Sequence, residues 1–260
     1  MKRDAIESMV REDAQRHLGQ VALVTGATRG IGQEVARSLA EAGMTVLVGA
    51  REQAKGEEVV EPLRKAGFQA ETLVIDLLQP ETLHAAAYRI GRYYGRLDVL
   101  VNNAGVTDPR DDAPERASIE AVERVFATNF FGTLRVTQAM LPWLSRAERG
   151  RIVNVSSGLG SLAYNNDPSW EHASMRRIGF NASKAALNML TVQLSQTLRE
   201  TSITVNSVDP GAPADLAGDA SGKRTRENLA QAARSVVMLA LGERGPVTGG
   251  FFDASGSLPW

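Results

Sequence analysis

The chain has 260 residues, with 29 Lys or Arg against 30 Asp or Glu and a net charge of −1. That balance argues against the basic footprint of a nucleic-acid binder or an anionic-membrane surface. The absence of Cys excludes disulfides, thiolate chemistry and Cys-ligated metals, and the three His, at 17, 84 and 172, lack ligand spacing on a helix, so no metal is expected.

The length suits one α/β domain with a full core. Residues 1–19 are charged, have no apolar core of a signal peptide, and read as an extension that is either an amphipathic packing helix or a frayed end. No apolar run approaches a membrane span, so a cytoplasmic protein is expected. From residue 20 onward, apolar strands alternate with helical segments, the pattern of βαβ units around a mainly parallel sheet. Val21–Val24 reads as the first strand and 30–42 as a helix ended by Gly43. Thr45–Val48 is the second strand, followed by a charged helix to about Ala66. Leu73–Ile75 is the third strand, and Pro80 opens a helix to about Tyr94. Leu97–Val101 is the fourth strand, and a long helix carries Val122–Asn129 and continues to Leu144. Ile152–Val155 is the fifth strand. A loop of about twenty residues then leads to a helix over 183–200, a strand at Ile203–Val205, a helix over 226–241 and a last strand at Phe251–Phe252. The expected fold is a single doubly wound Rossmann-type α/β domain over 20–260.

Gly26, Gly30 and Gly32 stand between the first strand and its helix, with Thr28, Arg29 and Ile31 among them. Glycines there let backbone approach a pyrophosphate, which meets the free N–H groups of the helix N-terminus. The plainer reading is a tight turn with no ligand. An acid at the end of the second strand would take a ribose 2′-OH, whereas Arg accommodates a 2′-phosphate. The chain has Val48-Gly49-Ala50-Arg51 there, so Arg51 and Arg29 favour NADP(H). The plainer reading of Arg51 is a solvated surface charge.

Six motifs follow one another in order: Thr25–Gly32, Asn102-Asn103-Ala104-Gly105, Asn129, Val153-Asn154-Val155-Ser156-Ser157, Lys184 and Pro210-Gly211. In this order they resemble the short-chain dehydrogenase/reductase family, and the tail from Thr248 to Trp260 resembles its carbonyl-reductase-like members. The resemblance runs from about Gln20 to Trp260. It implies that Asp76, followed by Leu77, lies beside the adenine and that Asn103, Ala104 and Gly105 pack along the adenosine ribose. Pro210 and Gly211 would face the nicotinamide end. It further implies that Ser157 holds a substrate carbonyl, with Ser156 the other candidate. Lys184 would bind the nicotinamide ribose, and Asn129 would support a water relay. Association through the two long helices is usual in the family, so a homo-oligomer is conceivable here. The plainer readings are a turn-capping hydroxyl for Ser157, a solvated lysine for Lys184 and a local helix contact for Asn129.

The resemblance expects Tyr four residues before Lys184, and the chain has Phe180. Hydride transfer to a ketone leaves charge on oxygen, which Ser can stabilise but which must still gain a proton. A positioned acid contributes roughly 10²–10⁴-fold, about 3–5 kcal/mol of barrier. Phe180 keeps the shape and lacks that proton. The segment Pro210-Gly211-Ala212-Pro213 also lacks the Thr expected near the nicotinamide carboxamide. Two departures together favour natural divergence over a single introduced change. Ser157 precedes Phe180 by 23 residues, a longer gap than is usual in the family, and the insert carries Tyr164, Asp167, Trp170 and His172. Tyr164 or His172 could supply a proton, or both could simply cover the pocket. The expected function is an NADP(H)-dependent oxidoreductase acting on a carbonyl or similar small-molecule substrate, with an altered proton donor. The alternatives are a non-redox isomerase, cyclase or dehydratase on the same scaffold, or a non-catalytic cofactor-binding protein.

Overall fold

The computed structural model describes residues 17–211 and 226–260. Seven strands form one parallel sheet in the order β3-β2-β1-β4-β5-β6-β7. They are β1 (Val21–Val24), β2 (Thr45–Ala50), β3 (Ala70–Val74), β4 (Val99–Asn102), β5 (Arg151–Val155), β6 (Thr204–Val208) and β7 (Phe251–Phe252). The order reverses between β1 and β4, and side chains at the carboxyl ends of strands beside that reversal face an open crevice.

Both faces of the sheet are covered, which is why its strands are apolar without clean alternation. Ala22, Val24, Val46 and Val48 pack against Val35 and Leu39 of α1 (Gly30–Glu41), Val59 and Val60 of α2 (Gln53–Lys65), and Val236 and Ala240 of α8 (Arg226–Leu241). Val21, Leu23 and Leu47 face the other way, onto Leu83 and Ile90 of α3 (Pro80–Tyr93) and Val136 and Met140 of α5 (Thr133–Leu144).

Several boundaries differ from the sequence expectation. The third strand starts at Ala70 rather than Leu73, because pairing with β2 recruits Ala70, Glu71 and Thr72 despite their mixed polarity. The fourth runs Val99–Asn102, not Leu97–Val101, since its register is set by pairing with β1 and β5. The long helix divides into α4 (Ile119–Phe126), a π-helical turn over Ala127–Gly132, and α5. Wide turns of this kind often mark functional positions, and Asn129 lies in this one.

The helix expected from 183 is α7 (Ile178–Thr197). It starts earlier because Asp111, from the loop after β4, accepts the N–H groups of Gly179 and Phe180, both at 2.7 Å. Local sequence around 178 has no Ser, Thr, Asp or Asn at the N-cap position, which is Arg177; the cap comes from 68 residues away. The loop before α7 is also partly ordered into a 3-10 turn, Gly158–Gly160, and a short helix α6 (Leu162–Asn165). The amphipathic helix considered for residues 1–19 lies almost wholly outside the described residues.

Candidate functional site

The turn from β1 into α1 forms a cradle of backbone amides. Gly26 and Gly30 have φ of +62° and +59°, in the left-handed region. A Cβ on Gly26 would fall 2.9 Å from Ala104 Cα, and one on Gly32 would fall 2.3 Å from Asn103 Nδ2. The glycines therefore also let the Asn103-Ala104 segment close against the turn. Asn103 Nδ2 donates to the carbonyls of Thr25 at 2.9 Å and Gly26 at 3.1 Å, and Thr25 Oγ1 accepts the N–H groups of Asn103 and Ala104. The Asn103 amide thus braces the glycine turn. The N–H groups of Thr28, Arg29, Gly30, Ile31 and Gly32 have no partner among the described residues, leaving a run of donors at the positive end of a helix. Arg29 and Arg51 are exposed, and among the described residues neither has an ion-pair partner. Asp76 holds the N–H of Leu78 through Oδ1, and Leu77 is buried under Gly132.

The second half of the site lies across the carboxyl ends of β4, β5 and β6. Lys184 is 5% exposed, and its Nζ donates to the carbonyl of Val155 at 2.7 Å. Burial pushes its pKa down from 10.5 to about 8, opposed by the negative charge of Asp209. A Cβ on Gly105 would lie 3.6 Å from Lys184 Nζ and 3.4 Å from Asn129 Oδ1, so β4's exit loop passes beside both. Asn129 is buried and fully engaged: Oδ1 accepts the N–H of Val106, and Nδ2 donates to the carbonyl of Val106 and to Ser183 Oγ. Its carbonyl also accepts a bond from Thr133 Oγ1.

The two serines after β5 have different roles. Ser156 Oγ donates to Asn188 Oδ1 at 2.6 Å in the interior. Ser157 Oγ accepts the N–H of Leu159 at 3.2 Å, and its own proton has no partner among the described residues. Phe180 is buried with Val125, Leu159, Trp170 and Met175, and its ring centroid is 5.6 Å from Lys184 Nζ. Pro210 and Gly211 leave β6 next to these groups, Gly211 with φ +87°.

The short-chain dehydrogenase family model matches residues 20–215. The chain belongs to that family. It is 35% identical over 224 residues to the short-chain dehydrogenase anuI of Penicillium roqueforti, covering 84% of this chain and 87% of that protein. It is 36% identical over 197 residues to the 3-oxoacyl-(acyl-carrier-protein) reductase FabG of Aquifex aeolicus, covering 74% and 73%. Among solved structures, a gluconate 5-dehydrogenase of Burkholderia cenocepacia, in complex with NADP and tartrate, aligns with TM-score 0.78 and 26% identity over 93% of this chain and 96% of its own. These relationships support oxidoreductase activity for this short-chain dehydrogenase.

Three features of this short-chain dehydrogenase arise from contacts that its motifs do not encode. Asp111, which caps α7, has no local signal because its partners are distant in sequence. A buried polar ladder fastens the strand ends: Asn102 Nδ2 donates to Asn154 Oδ1, Asn154 Nδ2 to Thr191 Oγ1, and Thr191 Oγ1 meets Ser207 Oγ, each at 2.8 Å. Asn102 and Asn154 stood inside recognised motifs, but their pairing needed the β4–β5 register. Asp209 has no motif of its own beyond preceding Pro210-Gly211. Its carboxylate comes to lie beside Gly158, and burial pushes its pKa up, only partly opposed by the N–H groups of Gly211 and Gly158.

The insert folds over Phe180. Tyr164 and Trp170 stack at 5.1 Å and Trp170 meets His172 edge-on at 5.2 Å. The C-terminus pins this cover, with Ala163 N–H donating to the Trp260 carbonyl and Trp260 stacked on Phe251. Asp167, by contrast, is exposed and holds Ser169. Among the described residues there is no cluster of three His, Cys, Asp or Glu that could hold a metal, and no helix is long and apolar enough to cross a membrane.

Proposed function

We propose that the protein is an NADP(H)-dependent reductase of a small carbonyl compound, resembling carbonyl reductases, with Phe180 in the place of the usual phenolic proton donor. The observation that carries this reading is the convergence, at one crevice, of a buried Lys184 with an amide cradle and a Ser157 hydroxyl proton that have no partner among the described residues. The domain comprises residues 20–260, with 1–19 as an extension, and the expected setting is cytoplasmic. A homo-oligomer is part of the same family-based reading.

The residues present fit NADP(H). Gly26, Thr28, Gly30, Ile31 and Gly32 would hold the pyrophosphate, and Arg29 and Arg51 the 2′-phosphate. Asp76 and Leu77 would flank the adenine, Asn103, Ala104 and Gly105 the adenosine ribose, and Lys184, Pro210 and Gly211 the nicotinamide end. Bound there, the cofactor supplies a hydride to the carbonyl carbon. Ser157 Oγ–H donates to the carbonyl oxygen and stabilises the charge that develops on it. Lys184, at the position beside Gly105, would hold a ribose hydroxyl and would add positive charge when protonated. The Asn129 amide fixes the Val106 loop and α7 through Ser183. With both its polar ends occupied, the side chain acts as a brace, leaving only its carbonyl for a water.

The bonding capacity of Asn129 and the apolar packing of Phe180 favour a site rebuilt around another proton source over a reductase that has merely lost one. A ketone and aldehyde panel, run with NADPH and NADH for wild type and Lys184→Met, tests the reading. Turnover with NADPH that disappears in Lys184→Met supports it. Tight NADPH binding without oxidation on any carbonyl sinks it in favour of a non-redox enzyme or a cofactor-binding protein.

A further inference from the structure

We propose that Asp209 holds and delivers the proton that a phenol at position 180 would otherwise supply. This rests on the reductase reading above and names the group that reading lacks.

The geometry begins with the sheet. Val155 pairs with Val208, and Ser156 N–H donates to the Val208 carbonyl at 2.7 Å, so the exits of β5 and β6 run side by side. Asp209 is the first residue past β6, opposite Ser156 in the β5–β6 register, and Ser157 and Gly158 follow directly. Asp209 Oδ1 accepts the N–H of Gly211 at 3.0 Å. Its Oδ2 lies 2.9 Å from where a Cβ on Gly158 would stand, and Trp170 Cζ2 lies 3.2 Å from that same point. The carboxylate is therefore held immediately beside the Ser157–Gly158 turn and beneath the aromatic cover. It is half-buried, and among the described residues no cation comes within ion-pair distance of it.

Elimination leads to the same group. Phe180 has no proton to give. The Asn129 amide is engaged at both ends. Lys184 directs one ammonium proton to the Val155 carbonyl, and the reductase reading commits another to the ribose hydroxyl. Tyr164 stacks on Trp170 and is not part of the cluster packed on Phe180. His172, the other candidate from the insert, meets Trp170 edge-on and lies 3.7 Å from Glu171. Asp209 stands against the Ser157–Gly158 turn itself, and burial favours its protonated form. The charged or titratable groups that face it are Lys184 from α7, His172 from the insert and Asp253 after β7. Burial and Asp253 favour the protonated state, while the Gly211 and Gly158 N–H groups, His172 and Lys184 favour the ionised one.

The step balances. NADPH is the reductant; after hydride reaches the carbonyl carbon, the oxygen bears a negative charge stabilised by Ser157. The Asp209 O–H bond breaks, a new O–H bond forms on the substrate oxygen, and the carboxylate recovers its proton from water. Reduction therefore needs protonated Asp209 and declines as pH rises through its folded-state pKa.

Three measurements test the assignment. The first is carboxyl ¹³C NMR of Asp-labelled protein, with the Asp209 signal assigned by its loss in Asp209→Asn. Titration above the ordinary aspartate range is expected; ordinary titration overturns the proposal whatever the activity. This holds even if no carbonyl is reduced, in which case the reductase reading fails alone. The second is the Asp209→Asn rate, expected to fall about 10²-fold or more and to lose its alkaline decline, with NADPH affinity by fluorescence within twofold of wild type. Wild-type turnover in this variant overturns the assignment. The third is Asp209→Asn/Phe180→Tyr, expected to recover at least tenfold over Asp209→Asn. A double variant that binds NADPH and recovers nothing makes Asp209 a support for the Gly158 turn and overturns its role as proton source.

Discussion

Lys184 Nζ donates to the Val155 carbonyl at 2.7 Å while lying 5.6 Å from the centroid of the Phe180 ring. The lysine is therefore held by the sheet and does not depend on a phenol to fix its position. An ammonium near an aromatic face also gains some cation–π attraction. The two residues share one helical turn of α7, so a change at either is felt through the other.

Lys184→Met separates stability from function. Below pH 8 the buried lysine is protonated in both folded and unfolded states, and its desolvation cost is fully present. Between about 8 and 10.5 the unfolded chain binds the extra proton, so stability rises with pH. A depression of that size corresponds to roughly 3 kcal/mol, against which about 2 kcal/mol is lost with the charged bond to the buried Val155 carbonyl. Lys184→Met is expected to be more stable than wild type at pH 7 by about 1 kcal/mol, with the difference shrinking toward pH 10, and to lose turnover. Urea melts at several pH values check the first part and NADPH oxidation the second.

Arg51→Ala is expected to weaken NADPH about tenfold, or about 1.4 kcal/mol, and to leave NADH unchanged. The reason is that Arg51 directly follows β2, both it and Arg29 are exposed, and neither has an ion-pair partner among the described residues. Calorimetry with both cofactors measures it. Equal losses for the two cofactors would remove the 2′-phosphate argument.

Phe180→Tyr brings a hydroxyl into a cluster of Val125, Leu159, Trp170 and Met175. With Asp209 already supplying the proton, wild-type turnover is expected to change less than about threefold, far below the 10²–10⁴-fold worth of a missing acid. Tenfold or greater acceleration across the carbonyl panel would mark a site that simply lacks its acid.

Asp111→Ala removes a cap with two bonds to the first turn of α7. A loss of about 1–2 kcal/mol in denaturant unfolding is expected, together with a fall in kcat, because the same turn sets the pitch of Phe180 and Lys184. Asp111→Asn keeps one acceptor and is expected to recover part of both. Unchanged stability in Asp111→Ala would show that Arg177 and the Asp112 carbonyl, which accepts Ile178 N–H, suffice to start the helix.

The amino-acid sequence by itself determined the α/β class, the position of the glycine turn and the ordered motifs. Those signals are local: buried parallel strands are continuously apolar, and a turn before a helix needs glycine wherever backbone must come close. The chain's resemblance to the short-chain dehydrogenase family, rather than any local physical signal, pointed to Ser157, Lys184 and Asn129 as candidates. Only the tertiary structure decided which of two adjacent serines keeps a free hydroxyl, because Ser156 meets Asn188 from another element. It extended β3 into the polar Glu71 and Thr72 through pairing with β2, and started α7 at Ile178 through a carboxylate 68 residues away. Asp209 is the clearest case. Its sequence context is an acid before a proline, whereas its environment is created by the adjacent exits of β5 and β6 and by Trp170 folding over them. Hydrogen-bond partners and burial are properties of residues brought together from distant parts of the chain, and periodicity along the chain carries no record of them.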